Sequence, residues 1–168
     1  MKKIILSMVA VLAFGFANAQ EQTKKGKWLV EANTAFGTPM AGNTSFQLSS
    51  EDGNTNWNIG AEGGYFVIDN LAIKAGLGYG DNGNYNIFSY KLGAKYYLLN
   101  KFPLEASFTG ASIENANENP SYFGLQGGYA WFVGPNISIE PGLRYNISLN
   151  DNYSKDVFQL NVGFALHF

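Results

Sequence analysis

The last segment of this chain alternates between apolar and polar side chains without a break. From residue 158 to residue 168 every second residue is apolar, namely Phe158, Leu160, Val162, Phe164, Leu166 and Phe168. The residues between them are polar or small, namely Gln159, Asn161, Gly163, Ala165 and His167. Because successive side chains of a β-strand point to opposite faces of a sheet, this pattern predicts a strand with one apolar and one polar face.

The same alternation recurs upstream. It can be drawn through residues 28–36, 57–67, 71–79, 88–98, 102–110, 123–133 and 137–149, which with 157–168 makes eight predicted strands. Four apolar residues fall on the polar side, mostly near predicted strand ends: Leu29, Phe66, Tyr97 and Phe132. The sequence therefore predicts an all-β fold.

The links between the predicted strands alternate in length. Short links occupy residues 68–70, 99–101 and 134–136, whereas longer polar links occupy residues 37–56, 80–87, 111–122 and 150–157. Short turns at one rim and longer loops at the other are typical of an antiparallel up-and-down transmembrane barrel. Most acidic residues outside the strands lie in the longer links, so we expect one negatively charged rim.

The first 19 residues have the pattern of a secretory signal peptide. Lys2 and Lys3 precede an apolar run, and the sequence Ala17-Asn18-Ala19 is a small-x-small cleavage site. The apolar run is shorter than the roughly 20 residues that a spanning helix needs. We therefore expect cleavage before Gln20, which leaves residues 20–168 as one barrel domain without cysteine.

Charge distribution decides which way the apolar faces point. Charged residues make up only 14% of the chain, and the polar strand faces carry four acids and four bases. These are Glu31, Glu62, Glu105 and Glu140 with Lys74, Lys91, Lys95 and Arg144. A balanced set among small residues suits a narrow lumen, because buried charges must be paired. We predict that these eight residues form a lumen charge network and that the apolar faces contact lipid.

Aromatic residues support this orientation. They concentrate towards the strand ends, as in the aromatic girdles of membrane barrels: Trp28, Trp57, Tyr65, Tyr79, Tyr96, Phe102, Tyr129, Trp131, Tyr145 and Phe168. The alternative is a secreted soluble barrel that encloses an apolar ligand, as lipocalins do, with its apolar faces turned inward. A lipocalin-like core would not need its aromatic residues to be concentrated towards the strand ends.

Three segments resemble the outer-membrane β-barrel family, which includes small barrels of the outer-membrane protein A, X and W types. They are Gly64-Tyr65-Phe66-Val67-Ile68-Asp69-Asn70-Leu71-Ala72-Ile73, the segment from Pro135 to Tyr145, and the terminal alternation that ends in Phe168. The resemblance implies the outer membrane of a Gram-negative cell envelope, with lipid and lipopolysaccharide as neighbours. It also implies that Phe164, Leu166 and Phe168 form a carboxy-terminal signal read by the outer-membrane insertion machinery. Since the chain ends at Phe168, we expect no peptidoglycan-binding domain of the protein A type.

Members of such a family do different things, so several functions stay open. We expect a structural or surface-interaction role, with the lumen plugged by the Glu–Lys/Arg network. A narrow porin-like channel for small ions or solutes is the first alternative, and the soluble carrier is the second. What the outer loops bind, and whether the barrel self-associates, cannot be read from the sequence.

Catalysis, cofactors and nucleic acid are not expected. The single histidine, His167, lies next to the carboxyl terminus, and neither Cys nor a second His is present to build a common zinc site. The glycines of Gly76-x-Gly78-x-Gly80 fall within a predicted strand, whereas a phosphate loop joins a strand to a helix. Without Lys2 and Lys3, 9 basic residues face 13 acidic ones, so the net charge of about −4 offers no basic surface for nucleic acid.

Overall fold

The structure is a computed structural model that describes residues 19–36, 46–51, 54–81, 83–151 and 154–168. The predicted signal peptide, residues 1–19, lies outside the described residues apart from Ala19, so its cleavage stays a prediction. Parts of three predicted loops, at residues 37–45, 52–53, 82 and 152–153, also lie outside them.

The described chain is almost entirely β-strand. Its elements are α1 Ala19–Gln22, β1 Trp28–Phe36, β2 Gln47–Glu51, β3 Asn54–Ile68, β4 Leu71–Asp81, β5 Asn86–Leu98, β6 Phe102–Ile113, β7 Ser121–Gly128, β8 Trp131–Gly134, β9 Ile137–Ser148 and β10 Val157–His167. Among these residues, no helix is long and apolar enough to cross a membrane.

The strands close into an antiparallel barrel. Its wall consists of β1, β3, β4, β5, β6, β7 continued by β8, β9 and β10, each paired with its neighbours along the chain. The first and last strands complete the ring, because Trp28 and Phe168 exchange two backbone hydrogen bonds of 3.1 and 2.9 Å. Closure leaves no free sheet edge at this seam. The predicted eight-stranded up-and-down barrel is confirmed.

Two local features differ from the predicted strands. The predicted loop 37–56 contains β2, which pairs with the start of β3, while β1 pairs with β3 only from Trp28 to Glu31. The predicted strand 123–133 is interrupted at Tyr129 and Ala130. The interruption lies beside Pro141 of β9, which has no N–H to donate to the ladder.

The two barrel ends differ as the link lengths predicted. One end, here called the short-turn end, carries the links around Asn70, Asn100 and Asn136 together with Trp28 and Phe168. Asn70 and Asn100 have positive φ values of 67° and 59°, which asparagine tolerates better than most residues. The opposite end, here called the long-loop end, carries the longer links.

Side-chain exposure shows that the barrel has an inverted polarity. Outward residues such as Leu77, Leu92 and Phe158 are each 61% exposed, whereas inward Lys95 and Arg144 are 0% exposed. A soluble protein places these residue types the other way round. The outer wall is therefore built to contact an apolar solvent.

We predict that an arginine on the outer wall destabilises the barrel according to its depth. Leu143→Arg, in the middle of β9, should lower the free energy of unfolding in lipid vesicles by about 2–4 kcal/mol, because the guanidinium would lie in hydrocarbon. Leu149→Arg is the matched control at the long-loop end and should cost about 0–1 kcal/mol. Urea titrations followed by tryptophan fluorescence measure both values, and an equal cost at the two sites would contradict the proposed outward face.

Candidate functional site in the barrel lumen

The eight charged residues predicted for the lumen all point inward. They come from six different strands, and each is at most 4% exposed: Glu31, Glu62, Lys74, Lys91, Lys95, Glu105, Glu140 and Arg144. Register places several of them level with one another, since Glu31 lies opposite Glu62 and Lys95 lies opposite Glu105. The fold thus gathers residues that are far apart in sequence at the centre of the barrel.

Lys74 lies at the centre of this charge network. Its Nζ atom is 2.7 Å from one carboxylate oxygen of each of three residues, Glu31, Glu62 and Glu105. These carboxylates belong to β1, β3 and β6, so one ammonium group joins strands from different sides of the lumen. Three like charges this close are tolerated only because a cation lies between them.

The remaining bases extend the network in both directions. Lys91 Nζ lies 2.9 Å from Glu62 and 2.6 Å from Glu105. Lys95 Nζ lies 2.8 Å from Glu31 and 2.5 Å from Glu140. Every acid therefore contacts at least one base, and the four acids and four bases sum to zero formal charge.

Arg144 links the network to a layer of amides and hydroxyls nearer the long-loop end. Its Nη1 atom lies 3.2 Å from Glu105, while Nε donates to Asn146 Oδ1 at 2.7 Å and Nη2 donates to Ser107 Oγ at 2.8 Å. A Cβ atom at Gly124 would collide with Nη2 of this guanidinium. A residue without a side chain is thus needed beside the Arg144 guanidinium, which fits the predicted mixture of glycine and long charged residues.

A tyrosine and a serine bind the carboxylate at the short-turn side of the network. Tyr97 Oη and Ser138 Oγ donate to Glu140 Oε1 at 2.9 and 2.8 Å. Lys95 binds the other oxygen of the same carboxylate. Both Glu140 oxygens are therefore hydrogen-bonded, as a buried carboxylate requires.

A buried apolar layer fills the lumen between the charge network and the short-turn end. It consists of Leu29, Phe66, Ala72, Tyr97, Ala130, Phe132 and Ala165, each at most 8% exposed. The His167 ring packs among them, with ring centroids 5.3–6.3 Å from those of Phe66, Tyr97 and Phe132. Four of these residues, Leu29, Phe66, Tyr97 and Phe132, are the apolar residues that fall on the polar faces of the predicted strands. They are part of an apolar core inside the barrel.

The apolar layer also explains the position of the single histidine. His167 Nε2 lies 3.1 Å from Ser138 Oγ, which resembles part of a hydrolytic triad. However, the acid contacts the serine rather than the histidine, and His167 Nδ1 has no hydrogen-bond partner among the described residues. Both side chains are at most 1% exposed, so this geometry favours a structural pair over a nucleophile and its base.

Three carboxylates come close enough to hold a metal ion. Oxygen atoms of Glu31, Glu62 and Glu105 lie within 4.8 Å of one another. The ammonium of Lys74 already contacts all three, so a lysine supplies the positive charge that an ion would supply. The described residues thus favour an internal ion-pair network over a metal site here.

The three residues predicted as a carboxy-terminal assembly signal face outward. Phe164, Leu166 and Phe168 are 52%, 40% and 55% exposed. Phe164 and Leu166 lie on the outer face of β10, and Phe168 follows directly after that strand. β10 pairs with β1, so all three residues lie at the seam of the barrel. This placement leaves their side chains accessible from outside the barrel.

Acidic residues at the long-loop end bind polar groups at the ends of neighbouring strands. Glu114 accepts a hydrogen bond from Asn86 Nδ2 at 2.7 Å. Asp156 accepts one from the Tyr145 hydroxyl at 2.6 Å and one from the Ser148 amide at 2.9 Å, and these bonds hold its pKa below the usual range. These carboxylates therefore fix neighbouring chain segments to one another at this end.

Comparison with solved structures supports the fold. The chain is similar to the N-terminal β-barrel domain of OprF from Pseudomonas aeruginosa (TM-score 0.53, 15% identity, covering 86% of this chain and 98% of that chain). It is also similar to a de novo designed transmembrane β-barrel (TM-score 0.51, 16% identity, 88% and 99%). A third similar structure is the outer membrane protein Ail of Yersinia pestis in a phospholipid bilayer nanodisc (TM-score 0.51, 12% identity, 86% and 100%). No protein-family model and no curated protein matches the sequence.

We predict that removal of the central ammonium destabilises the barrel strongly. In Lys74→Met, three buried carboxylates lose a shared partner, and the free energy of unfolding should fall by about 3–5 kcal/mol. Lys155→Met removes an exposed loop lysine and should change it by less than about 0.5 kcal/mol. The measurement is urea unfolding of both variants and the parent in the same detergent. Equal stability of the two variants would mean that the buried contacts of Lys74 contribute little.

Proposed function

We propose that this chain is an integral outer-membrane barrel with a structural or surface-interaction role. The observation that carries the proposal is the inverted polarity of the barrel, with apolar side chains outside and paired charges inside. An apolar outer wall of this kind is stable in lipid, where a closed barrel leaves no unpaired strand edge. A soluble carrier such as a lipocalin would need the opposite arrangement.

The orientation in the membrane follows from the two rims. In transmembrane barrels the short turns face the periplasm and the longer loops face outward. The long-loop end would then lie at the cell surface beside lipopolysaccharide, and its acidic loops would meet a surface partner. We propose that the insertion machinery recognises the row of Phe164, Leu166 and Phe168, and the exposure of these side chains on the outer wall supports this.

The contents of the lumen support a closed barrel rather than a channel. The charge network and the apolar layer both fill the interior, and an eight-stranded barrel encloses little more than its own side chains. Ions would have to break paired contacts of 2.5–3.2 Å in the network. They would also have to cross the buried apolar layer.

A narrow channel is the rival function, because the network is polar and runs through the middle of the barrel. Arg144 and the amides beyond it reach towards the long-loop end, so a rearranged network would offer ions polar contacts over part of the path. The apolar layer opposes this reading, since an apolar constriction excludes ions by dewetting.

We expect the chain to fractionate with the outer membrane and to remain there after a high-salt wash, because apolar contacts do not weaken with ionic strength. Heat-modifiable migration on a gel should accompany this behaviour, since a folded barrel resists detergent until it is heated. Recovery in the soluble periplasmic fraction would remove the basis of the proposal. Leu143→Arg serves as a control, because its insertion should be impaired.

Planar-bilayer recording should separate the closed barrel from the channel. We expect no steady openings from the parent protein. The channel reading instead predicts steady openings whose size changes in Glu140→Ala and Arg144→Ala, which alter the lumen, but not in Glu114→Ala, which alters a loop. Steady openings that change in the two lumen variants but not in the loop variant would contradict the closed barrel and support the channel.

A further inference from the structure

Residues 22–27 cross the short-turn end of the barrel before the chain enters β1. Gln22 is 5% exposed and Thr23 is 0% exposed, although both are polar and lie outside the strands of the wall. The residues that follow are different, since Lys24, Lys25 and Gly26 are exposed. The segment therefore presents two polar side chains to the barrel and its charged side chains to solvent.

Gln22 binds the turn between β8 and β9. Its Nε2 atom donates to the carbonyl oxygen of Pro135 and lies 3.4 Å from that of Gly134. These two carbonyls belong to turn residues at the rim. A side-chain amide is well suited to them because it brings two donors.

Thr23 and Lys25 bind the turn between β3 and β4. Thr23 Oγ1 donates to Asn70 Oδ1 at 2.5 Å, and the Asn70 amide donates to the Thr23 carbonyl at 2.7 Å. The Lys25 amide donates to Asp69 Oδ1 at 2.8 Å. The segment thus joins two turns that are distant in the chain.

The end of the segment pairs with β3 through backbone groups. The Gly26 amide donates to the Phe66 carbonyl at 2.9 Å, and the Phe66 amide donates to the Lys27 carbonyl at 3.0 Å. Phe66 belongs to the apolar layer, so the segment lies directly next to that layer. Proteins recognise extended peptides in the same way, with backbone bonds for affinity and a few side chains for specificity.

We propose that the short-turn mouth is a peptide-binding site and that its occupant is the chain's own residues 22–27. The bound segment seals the apolar layer from water. It is a ligand rather than part of the wall, because polar bonds to turn residues hold it and its lysines stay solvated. Such a segment can leave and return while the barrel remains folded, as the least stable parts of proteins do.

The covalent connection of residues 22–27 to β1 determines how high an affinity the site needs for this segment. Lys27 is followed directly by Trp28 of β1, so the segment is held next to the mouth at an effective concentration in the millimolar range. A site of modest affinity is therefore filled in the intact chain. The same peptide supplied as a separate molecule would need a similar concentration to occupy it.

A single cysteine in the apolar layer can report whether the seal is closed. The chain has no cysteine, and Ala130 is a small residue of the layer that is 1% exposed. The reporter is Ala130→Cys in detergent micelles, treated with a small water-soluble thiol reagent. Adding Gln22→Leu and Thr23→Val should make this cysteine react about tenfold faster or more, because hydrogen bonds between the segment and the turns are lost. Glu21→Gln with Lys24→Gln is the matched control in the same segment, because that ion pair is exposed. Its reaction rate should equal that of the parent.

A chain that begins at Gly26 tests whether the segment is separable. With Ala130→Cys in place, it should show the same fast thiol reaction. Low-millimolar peptide of sequence 20–25, which is the part that the truncated chain lacks, should slow the reaction again, whereas the same peptide carrying Gln22→Leu and Thr23→Val should not. As a control, Ser89→Cys replaces Ala130→Cys as the single cysteine. Residue 89 lies on the other side of the charge network, so the thiol reaction rate there should be the same in the full chain, the double variant and the truncated chain. Loss of that equality would report general unfolding and would contradict the proposal.

Amide exchange supplies a second readout that needs no cysteine. The Asn70 amide should exchange faster in Gln22→Leu/Thr23→Val, while the Asn100 amide, which donates to Tyr97 in another turn, should be unchanged. Unchanged protection of Asn70, or no rescue by the peptide, would overturn the proposal. Because both measurements are made in detergent, they are readable even if the protein proves not to reside in the outer membrane.

Discussion

The Lys74 ammonium and its three carboxylates are the contact on which the rest of the barrel depends. Glu31, Glu62 and Glu105 come from three strands, and a lumen that contained them without a cation would have to protonate or hydrate them. A neutral, paired interior leaves the outer wall free to be apolar along its whole length. Because Glu31 and Glu62 face each other across the short β1–β3 pairing, the same ammonium also supports this pairing.

In the proposed closed barrel, the interior would exclude solutes by two different physical means. The charge network opposes apolar molecules, since their entry would separate buried charges without replacing the lost contacts. The apolar layer opposes ions, which would lose their hydration among Phe66, Tyr97 and Phe132 without gaining a ligand. The two regions are adjacent along the barrel axis, so a single local rearrangement cannot open a path for either class of solute. This division explains why an interior with many charges is nevertheless consistent with a closed barrel.

The sequence predicted the faces of the strands but not their contacts. A period of two decides which residues point inward, and it therefore identified the eight charged lumen residues. Which ammonium meets which carboxylate depends on register across strands that are far apart in sequence, and alternation carries no information about that. The apolar layer was readable in principle, because Phe66, Tyr97 and Phe132 each stand two residues before a predicted short link. That shared offset places them at one level of the barrel, whereas a strand-by-strand reading treats each as an irregularity.

This chain has the same fold as the OprF domain at 15% identity and as a designed barrel at 16% identity. Such low identities are sufficient because the wall of a barrel places few constraints on its sequence. A wall strand needs an apolar outer face and a polar or small inner face, and many sequences meet that condition. Function is consequently encoded where the fold leaves choice, namely in the lumen and at the two rims. In this chain the lumen charges are paired, and acids at the long-loop end bind polar groups at the ends of neighbouring strands. A surface partner would therefore meet carboxylates of which some, such as Glu114 and Asp156, are already hydrogen-bonded within the protein.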